Sequence, residues 1–268
     1  MIYLNGTPLP VTLFPDNTSQ VWKLPEHIFD KKVSNWVHIV WDFQHEGEFM
    51  HLAQLKNLLD VHNIRSALKI TYLPYGRQDK FYSNSRTFAL HTFASLLNSL
   101  DFEHIKIIDP HSNEALVLIE NSEAFYPVEE VMKIAFVLET DLFCYPDMGA
   151  VTKYTGNGDV QKEIYDYPYI FGEKVRDQET GNITSYKLIG NPKGKRILIV
   201  DDICDGGATF KLLAKDLLAA GATEVNLFVS HGIFSKGLRT LHESGIKRIF
   251  TKDGEMSEVQ NNLTYRRL

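Results

Sequence analysis

The sequence has few of the features that indicate a disulfide framework, a metal centre, a membrane segment or a nucleic-acid surface. Its two cysteines, Cys144 and Cys204, lie far apart and without a histidine pair at ligand spacing, which argues against a disulfide framework and a zinc site. No apolar run approaches membrane-spanning length, and the first residues lack the layout of a signal peptide. The net charge of −6 argues against a general nucleic-acid surface. Together these features predict a cytoplasmic protein that binds neither nucleic acid nor membranes.

The chain alternates apolar strand patterns with helical patterns. Residues 37–43 and 66–73 predict strands, and an amphipathic stretch between them predicts a helix. A second round of strands and helices follows, which predicts two related domains, residues 1–125 and 126–268. The alternation is typical of an α/β protein with parallel sheets flanked by helices. Packing of about 15 C-terminal residues back on the first domain is left open.

The stretch 195–210, KRILIVDDICDGGATF, is the most informative part of the chain. Its apolar run predicts a buried strand that ends at Asp201 and Asp202, and a helical pattern follows. Between them, two glycines allow backbone N–H groups to form an anion-binding nest beside the helix N-terminus. Carboxylates repel phosphate, so the acidic pair suits sugar hydroxyls or a cation instead. The stretch therefore predicts a site for a phosphorylated ribose.

Competing motifs do not fit the sequence. A phosphorelay receiver domain also begins with an apolar strand and two acids, but the chain after Asp202 is too short for the remaining strand–helix units. The run 190–196, GNPKGKR, has the wrong spacing for a P-loop and precedes a strand. Gly156-Asn157-Gly158 lacks the third glycine of a dinucleotide-binding fingerprint. Any nucleotide is therefore expected to bind by other means.

Other predicted strand ends also carry polar side chains, although each taken alone is as typical of a protein surface. Arg77 can contact phosphate oxygens or stack on a base, and Gln78 offers a donor and an acceptor to an adenine edge. His111 follows another strand. Lys174 and Arg176 alternate on a β-like segment beside a polar loop. If that loop folds over a triphosphate, the pair supplies the cationic clamp that phosphoryl-type transfer needs.

These segments together resemble a known family. PYGRQDK, DPH, PD, EKVR, VDDICDGGAT and SHGIFS occur in the order found in ribose-phosphate pyrophosphokinases, and the resemblance covers about residues 13–250. VDDICDGGAT is similar to the phosphoribosyl pyrophosphate (PRPP) motif of type I phosphoribosyltransferases. The resemblance implies an α/β fold of two phosphoribosyltransferase-like domains, each a mostly parallel sheet flanked by helices. It also implies a homo-oligomer, a dimer or higher.

The activity that the resemblance implies is transfer of the pyrophosphoryl group of Mg-ATP to the 1-hydroxyl of ribose 5-phosphate, giving PRPP and AMP. Mg²⁺ is the implied cofactor, and the adenine-side segment FPDNT is contributed in the family by a neighbouring subunit. By motif position, the implied site residues are Phe14, Asp16, Arg77 and Gln78 for ATP, His111 and Asp147 for Mg²⁺, Lys174 and Arg176 for catalysis on a mobile loop, Asp201 and Asp202 for the ribose hydroxyls, and Asp205, Gly206, Gly207, Ala208 and Thr209 for the 5-phosphate.

Two other functions stay open on the sequence alone. A phosphoribosyltransferase that consumes PRPP would use the stretch 195–210, but it would not need Arg77, Gln78 and His111 in a second domain. A non-catalytic regulatory subunit related to the family is the third possibility. Retention of the two cationic residues of the EKVR segment argues against it.

Overall fold

The chain forms two compact units, Met1–Phe125 and Tyr126–Leu268. Each unit has its own sheet and its own buried apolar residues. The assignment of ATP to the first predicted domain and of ribose 5-phosphate to the second stays a prediction. The computed structural model describes residues 1–29, 36–83, 85–156, 166–176, 183–259 and 262–266.

The first unit is built on a mixed sheet with helices. In its described residues the sheet has six strands in the order β2-β1-β5-β6-β7-β8. The strands from β5 to β8 run parallel to their neighbours, whereas β1 is antiparallel to both β2 and β5. The elements are the strands Ile2–Leu4 (β1), Thr7–Pro8 (β2), Thr12–Leu13 (β3), Ser19–Gln20 (β4), Trp36–Trp41 (β5), Arg65–Ile70 (β6), His104–Ile108 (β7) and Ser122–Phe125 (β8), the 3₁₀ helix Glu26–Phe29, and the helices Glu48–Val61 (α1), Ala89–Asn98 (α2) and Glu114–Leu118 (α3).

The second unit is built on a larger sheet. Over its described residues the sheet has eight strands in the order β11-β10-β9-β12-β13-β14-β15-β16. The inner strands from β10 to β14 are parallel, and β11, β15 and β16 are added antiparallel at the two edges. The elements are the strands Leu142–Tyr145 (β9), Tyr169–Arg176 (β10), Ile183–Ile189 (β11), Arg196–Cys204 (β12), Glu224–Gly232 (β13), Ile246–Thr251 (β14), Gly254–Val259 (β15) and Asn262–Arg266 (β16), and the helices Val128–Val137 (α4), Met148–Thr155 (α5), Ala208–Ala219 (α6) and Arg239–His242 (α7).

The central strand β12 is buried on both faces. Ile197 and Ile199 pack into the apolar cluster that includes helix α6, while Leu198 and Val200 pack into the cluster that includes α5. All four side chains are fully buried. A strand covered by helices on both sides requires an unbroken apolar run, because alternate side chains enter opposite layers. The predicted α/β class, with mostly parallel sheets flanked by helices, is confirmed.

Strand β12 is longer than the sequence predicts. The apolar run predicts an end at the acidic pair, but the ladder with β13 continues through Asp201, opposite Val229, to Cys204, opposite Gly232. Neighbouring strand β13 is itself long and buried, so its backbone groups need partners beyond the apolar run of β12. The two aspartates therefore lie within the strand. None of the described helices is long and apolar enough to cross a membrane.

Candidate active site

The last residues of β12 place two carboxylates beside one buried cation. Asp202 is 4% exposed, and its Oδ2 lies 3.6 Å from Nζ of Lys153 on α5. The pKa of Asp201 is raised well above its ordinary value, first by burial and then by the charge of Asp202, while Lys153 opposes the shift. Two acids this close cost free energy when both are ionised. Their arrangement suits a ligand that donates several hydrogen bonds, such as a sugar with adjacent hydroxyls.

The loop after β12 turns directly into helix α6. Gly207 has φ +72°, the left-handed region, and its carbonyl accepts a hydrogen bond from the Lys211 N–H at 3.0 Å. The loop is held from the β13 side, where the Ser235 hydroxyl donates to Asp205 Oδ1 at 2.6 Å. The first N–H groups of a helix have no partner within that helix, and the helix dipole adds positive potential there. The segment Asp205–Thr209, which we call the cradle loop, therefore has the backbone form that binds phosphate.

Gly207→Ala is expected to destabilise the cradle loop much more than Gly206→Ala. A Cβ at Gly207 would lie 2.8 Å from Leu241 Cδ2 in addition to the strained φ, whereas one at Gly206 would meet Lys236 at an ordinary 3.5 Å. We expect Gly207→Ala to lower the free energy of unfolding by about 1–2 kcal/mol more than Gly206→Ala. Urea denaturation of both variants measures the difference. Equal losses would mean that the left-handed conformation at Gly207 does not matter.

Asp147 begins the neighbouring helix α5. It lies directly after β9 and accepts a hydrogen bond from the Ala150 N–H to its Oδ1 at 3.0 Å. This N-cap bond fixes the orientation of the carboxylate. A fixed carboxylate is a hard oxygen donor, the type of ligand that Mg²⁺ takes. The implied role of Asp147 in holding Mg²⁺ is compatible with this geometry and stays a prediction.

Lys174 and Arg176 belong to a hairpin at the edge of the second sheet. Strand β10 pairs antiparallel with β11, with Lys174 opposite Tyr186 and Arg176 opposite Ile183, and the register shifts just before Arg176. The sequence predicts the β-like alternation of the two cations, but it predicts the β10 strand only as far as Phe171. Pairing with β11 extends it. The side chains of Lys174 and Arg176, and residues 177–182, lie outside the described part of the chain.

In the first unit, the predicted adenine-side residues lie on a short hairpin. Phe14 and Asp16 connect β3 to β4, and Asp16 Oδ1 accepts hydrogen bonds from both the N–H and the hydroxyl of Thr18, at 3.0 and 2.7 Å. These bonds lower the pKa of Asp16. The Phe14 ring packs edge-on against Trp22, with ring centroids 6.2 Å apart. The role of this hairpin in ATP binding stays a prediction.

Arg77, Gln78 and His111 follow strand ends of the same unit. Arg77 and Gln78 are exposed and lie in the turn after β6, where the Gln78 N–H donates to the Tyr75 carbonyl at 2.9 Å. His111 is exposed and comes three residues after the end of β7. The carboxyl ends of neighbouring parallel strands meet at one edge of a sheet, which is where α/β proteins bind ligands. Roles for Arg77 and Gln78 toward ATP, and for His111 toward Mg²⁺, stay predictions.

Sequence reasoning did not identify two residues beside the cradle loop. Lys153 is buried next to Asp202, with its Nζ 5.2 Å from the Tyr154 ring centroid. The sequence contains one indication of this position. Lys153 follows the N-cap residue Asp147 by six residues, and a lysine side chain in the first turns of a helix points back toward the start of that helix. Tyr186 lies on β11, and burial together with the charges of Asp147 and Asp201 raises its pKa to about 12. No sequence motif includes it.

The amino-acid sequence is similar to those of known proteins. A family model described as a phosphoribosyl transferase domain matches residues 154–263, all within the second unit. The ribose-phosphate pyrophosphokinase of Saccharolobus solfataricus is 26% identical over 245 residues, which cover 88% of this chain and 81% of that protein. The corresponding protein of Sulfurisphaera tokodaii is also 26% identical and covers 89% and 81%. The chain is thus similar to ribose-phosphate pyrophosphokinases over most of its length.

A solved structure extends the likeness to the fold. The phosphoribosylpyrophosphate synthetase of Mycobacterium smegmatis superimposes with a TM-score of 0.71 at 20% identity, over 90% of this chain and 78% of that one. The two units therefore have the fold of that protein over most of the chain.

Proposed function

We propose that this protein transfers the pyrophosphoryl group of Mg-ATP to the 1-hydroxyl of ribose 5-phosphate, forming PRPP and releasing AMP. One observation carries the proposal. Similarity to ribose-phosphate pyrophosphokinases extends over 88% of the chain, so it includes both units and not only the one that matches the phosphoribosyl transferase model. A transferase that consumes PRPP would need only the second unit. A cytoplasmic location and a homo-oligomeric state belong to the same proposal.

The proposed chemistry assigns a separate task to each part of the second unit. The cradle loop binds the 5-phosphate through its backbone N–H groups, and Asp201 and Asp202 accept hydrogen bonds from the ribose hydroxyls. The 1-hydroxyl oxygen then attacks the β-phosphorus of ATP. The bond between the β-phosphorus and the oxygen that bridges it to the α-phosphorus then breaks, and AMP leaves with that oxygen. Lys174 and Arg176 compensate the charge around the transferring group, which is the main contribution a protein makes to this class of reaction.

Asp147 offers a donor of the kind that Mg²⁺ takes. The Asp147 carboxylate is oriented by its N-cap bond, and the implied second ligand is His111. When bound with ATP, Mg²⁺ neutralises part of the phosphate charge. Without it, the Asp147 carboxylate would repel the nucleotide.

The deciding assay mixes purified protein with ribose 5-phosphate, ATP and Mg²⁺, and follows nucleotides by chromatography and PRPP by phosphorus NMR. We expect AMP and PRPP in equal amounts, no ADP, and loss of both products on adding excess chelator. ADP in place of AMP would indicate transfer of a single phosphoryl group. A parallel reaction with PRPP and free purine or pyrimidine bases, without ATP, tests the transferase alternative. Nucleotide formation there, with no AMP in the first assay, would overturn the proposal.

A further inference from the structure

Tyr186 carries a buried hydroxyl that the proposed chemistry does not yet use. The residue is 6% exposed, and its Oη has no hydrogen-bond partner among the described residues. Buried hydroxyls are normally paired, because an unpaired donor loses the hydrogen bonds that it makes with water in the unfolded chain. The Tyr145 hydroxyl shares this property, so the groups around Tyr186, and not the missing partner alone, suggest a role for its phenol.

The surroundings of Tyr186 are those of the ribose 5-phosphate site. The pKa of the phenol is raised by the charges of Asp147 and Asp201 and lowered by the side chain of Thr209. Burial is the largest influence, and the pKa of Tyr186 rises to about 12, so the phenol keeps its proton at physiological pH. It is a neutral hydrogen-bond donor placed among groups that are predicted to bind a phosphorylated sugar.

The backbone holds Tyr186 in this position from two sides. Its N–H donates to Asp216 Oδ2 at 2.8 Å, which ties β11 to helix α6 directly behind the cradle loop. Its ring lies over Gly172 of β10, where a Cβ would come within 2.5 Å of the ring Cδ1. Glycine at position 172 therefore leaves room for the ring. Tyr186 is also the partner of Lys174 across the hairpin, so it connects the catalytic hairpin with the cradle loop.

Tyr186 can influence a bound phosphate through the hydroxyl of Thr209. A threonine hydroxyl that donates its proton to a phosphate oxygen still has lone pairs that can accept a hydrogen bond. The Tyr186 phenol is near enough for the Thr209 side chain to lower its pKa, although the two hydroxyls are not in hydrogen-bond geometry. A chain of two hydrogen bonds, from phenol to hydroxyl to phosphate, strengthens both members because each polarises the other.

We propose that Tyr186 is a positioning residue for the cradle loop: when the 5-phosphate binds, its phenol donates to the Thr209 hydroxyl and orients that hydroxyl toward the phosphate. The inference rests on the proposed function, since it needs ribose 5-phosphate as the ligand. It adds a residue from the hairpin strand to the sugar-phosphate site. The loop and the hairpin are thereby coupled through one side chain.

The test is a double-mutant cycle of Tyr186→Phe and Thr209→Val in the full chain, with kcat/KM for ribose 5-phosphate measured by AMP release. Phenylalanine keeps the ring over Gly172 and removes only the hydroxyl. We expect Tyr186→Phe to lower kcat/KM about five- to tenfold, a net loss of one hydrogen bond, with the KM for ATP unchanged. In the Thr209→Val background the same change should have no further effect.

Tyr145→Phe is the matched control. The Tyr145 hydroxyl is also buried without a hydrogen-bond partner among the described residues, and its ring stacks on Tyr154 at 5.9 Å. This variant should leave kcat/KM for ribose 5-phosphate unchanged. An equal loss in Tyr145→Phe, no loss in Tyr186→Phe, or additive losses in the cycle would each overturn the inference while the proposed function stands. If the natural protein releases no AMP, the proposed function fails and the inference falls with it.

Discussion

Replacing Lys174 with alanine is expected to lower kcat about 100- to 1,000-fold while changing the KM for ATP little. The reason is the stage of the reaction at which the positive charge of Lys174 acts. A cation on the hairpin that meets the transferring group stabilises negative charge most strongly during transfer, so its loss affects the transition state more than ATP binding. The measurement is a steady-state titration of both substrates, with AMP release as the signal.

A second lysine of the same hairpin provides the control. Lys187 on β11 pairs with Glu173 on β10, with Nζ 3.4 Å from Oε2, and both side chains are well exposed. Exposed ion pairs contribute little to stability or to the conformation of a hairpin. Lys187→Ala should therefore keep kcat within about twofold of the natural protein. A similar loss in the two variants would assign the effect to general positive charge. A raised KM for ATP with kcat unchanged would remove Lys174 from catalysis.

The sugar-phosphate part of the site is predictable because it is local in the sequence. The strand, the acidic pair, the glycines and the start of α6 follow one another within 195–210, and each has a fixed conformational preference. Gly207 takes the left-handed conformation that a turn between a strand and a helix requires. The motif thus predicts both the backbone form of the cradle loop and the ligand class.

Residues that reach the same site from other elements are not predictable in this way. Tyr186 enters from β11, and Lys153 enters from α5. Their positions depend on the order of strands in the sheet, which places β9 and β10 beside β12. No spacing within the sequence encodes that order. Their contributions become visible only when burial and neighbouring charges are known.

The boundary of β12 was missed for a related reason. Acidic residues normally favour a loop, and the sequence predicts a strand that ends at Asp201 and Asp202. The ladder with β13 nevertheless continues to Cys204, because paired backbone groups outweigh the low strand preference of aspartate. The outcome matters for function. A carboxylate on a strand is held more rigidly than one on a loop, which favours recognition of a rigid sugar ring.

Asp201→Asn is expected to make the protein more stable and less active. The pKa of Asp201 is raised by burial and by the charge of Asp202, so the folded chain binds the proton more tightly than the unfolded chain. The contribution of this group to stability is therefore fully present below the ordinary aspartate pKa, about 3.9, and is lost as the pH rises toward the raised value. At neutral pH the cost of keeping this carboxyl group buried beside Asp202 lowers the free energy of unfolding. Asparagine removes the carboxyl group without changing the shape.

We expect the variant to gain on the order of 1 kcal/mol at pH 7.5, seen as a Tm several degrees higher, with the gain vanishing near pH 4. Activity should move in the other direction, with kcat/KM for ribose 5-phosphate about 10- to 100-fold lower, because asparagine replaces one acceptor oxygen by an NH2 group, which cannot accept a hydrogen bond from a sugar hydroxyl. Asp253→Asn is the control, since that carboxylate lies at the surface beside Lys252. It should change neither the activity nor the pH dependence of Tm. Loss of stability in Asp201→Asn at every pH would show that Asp201 is a structural residue, whereas higher stability with full activity would separate the acidic pair from the sugar site.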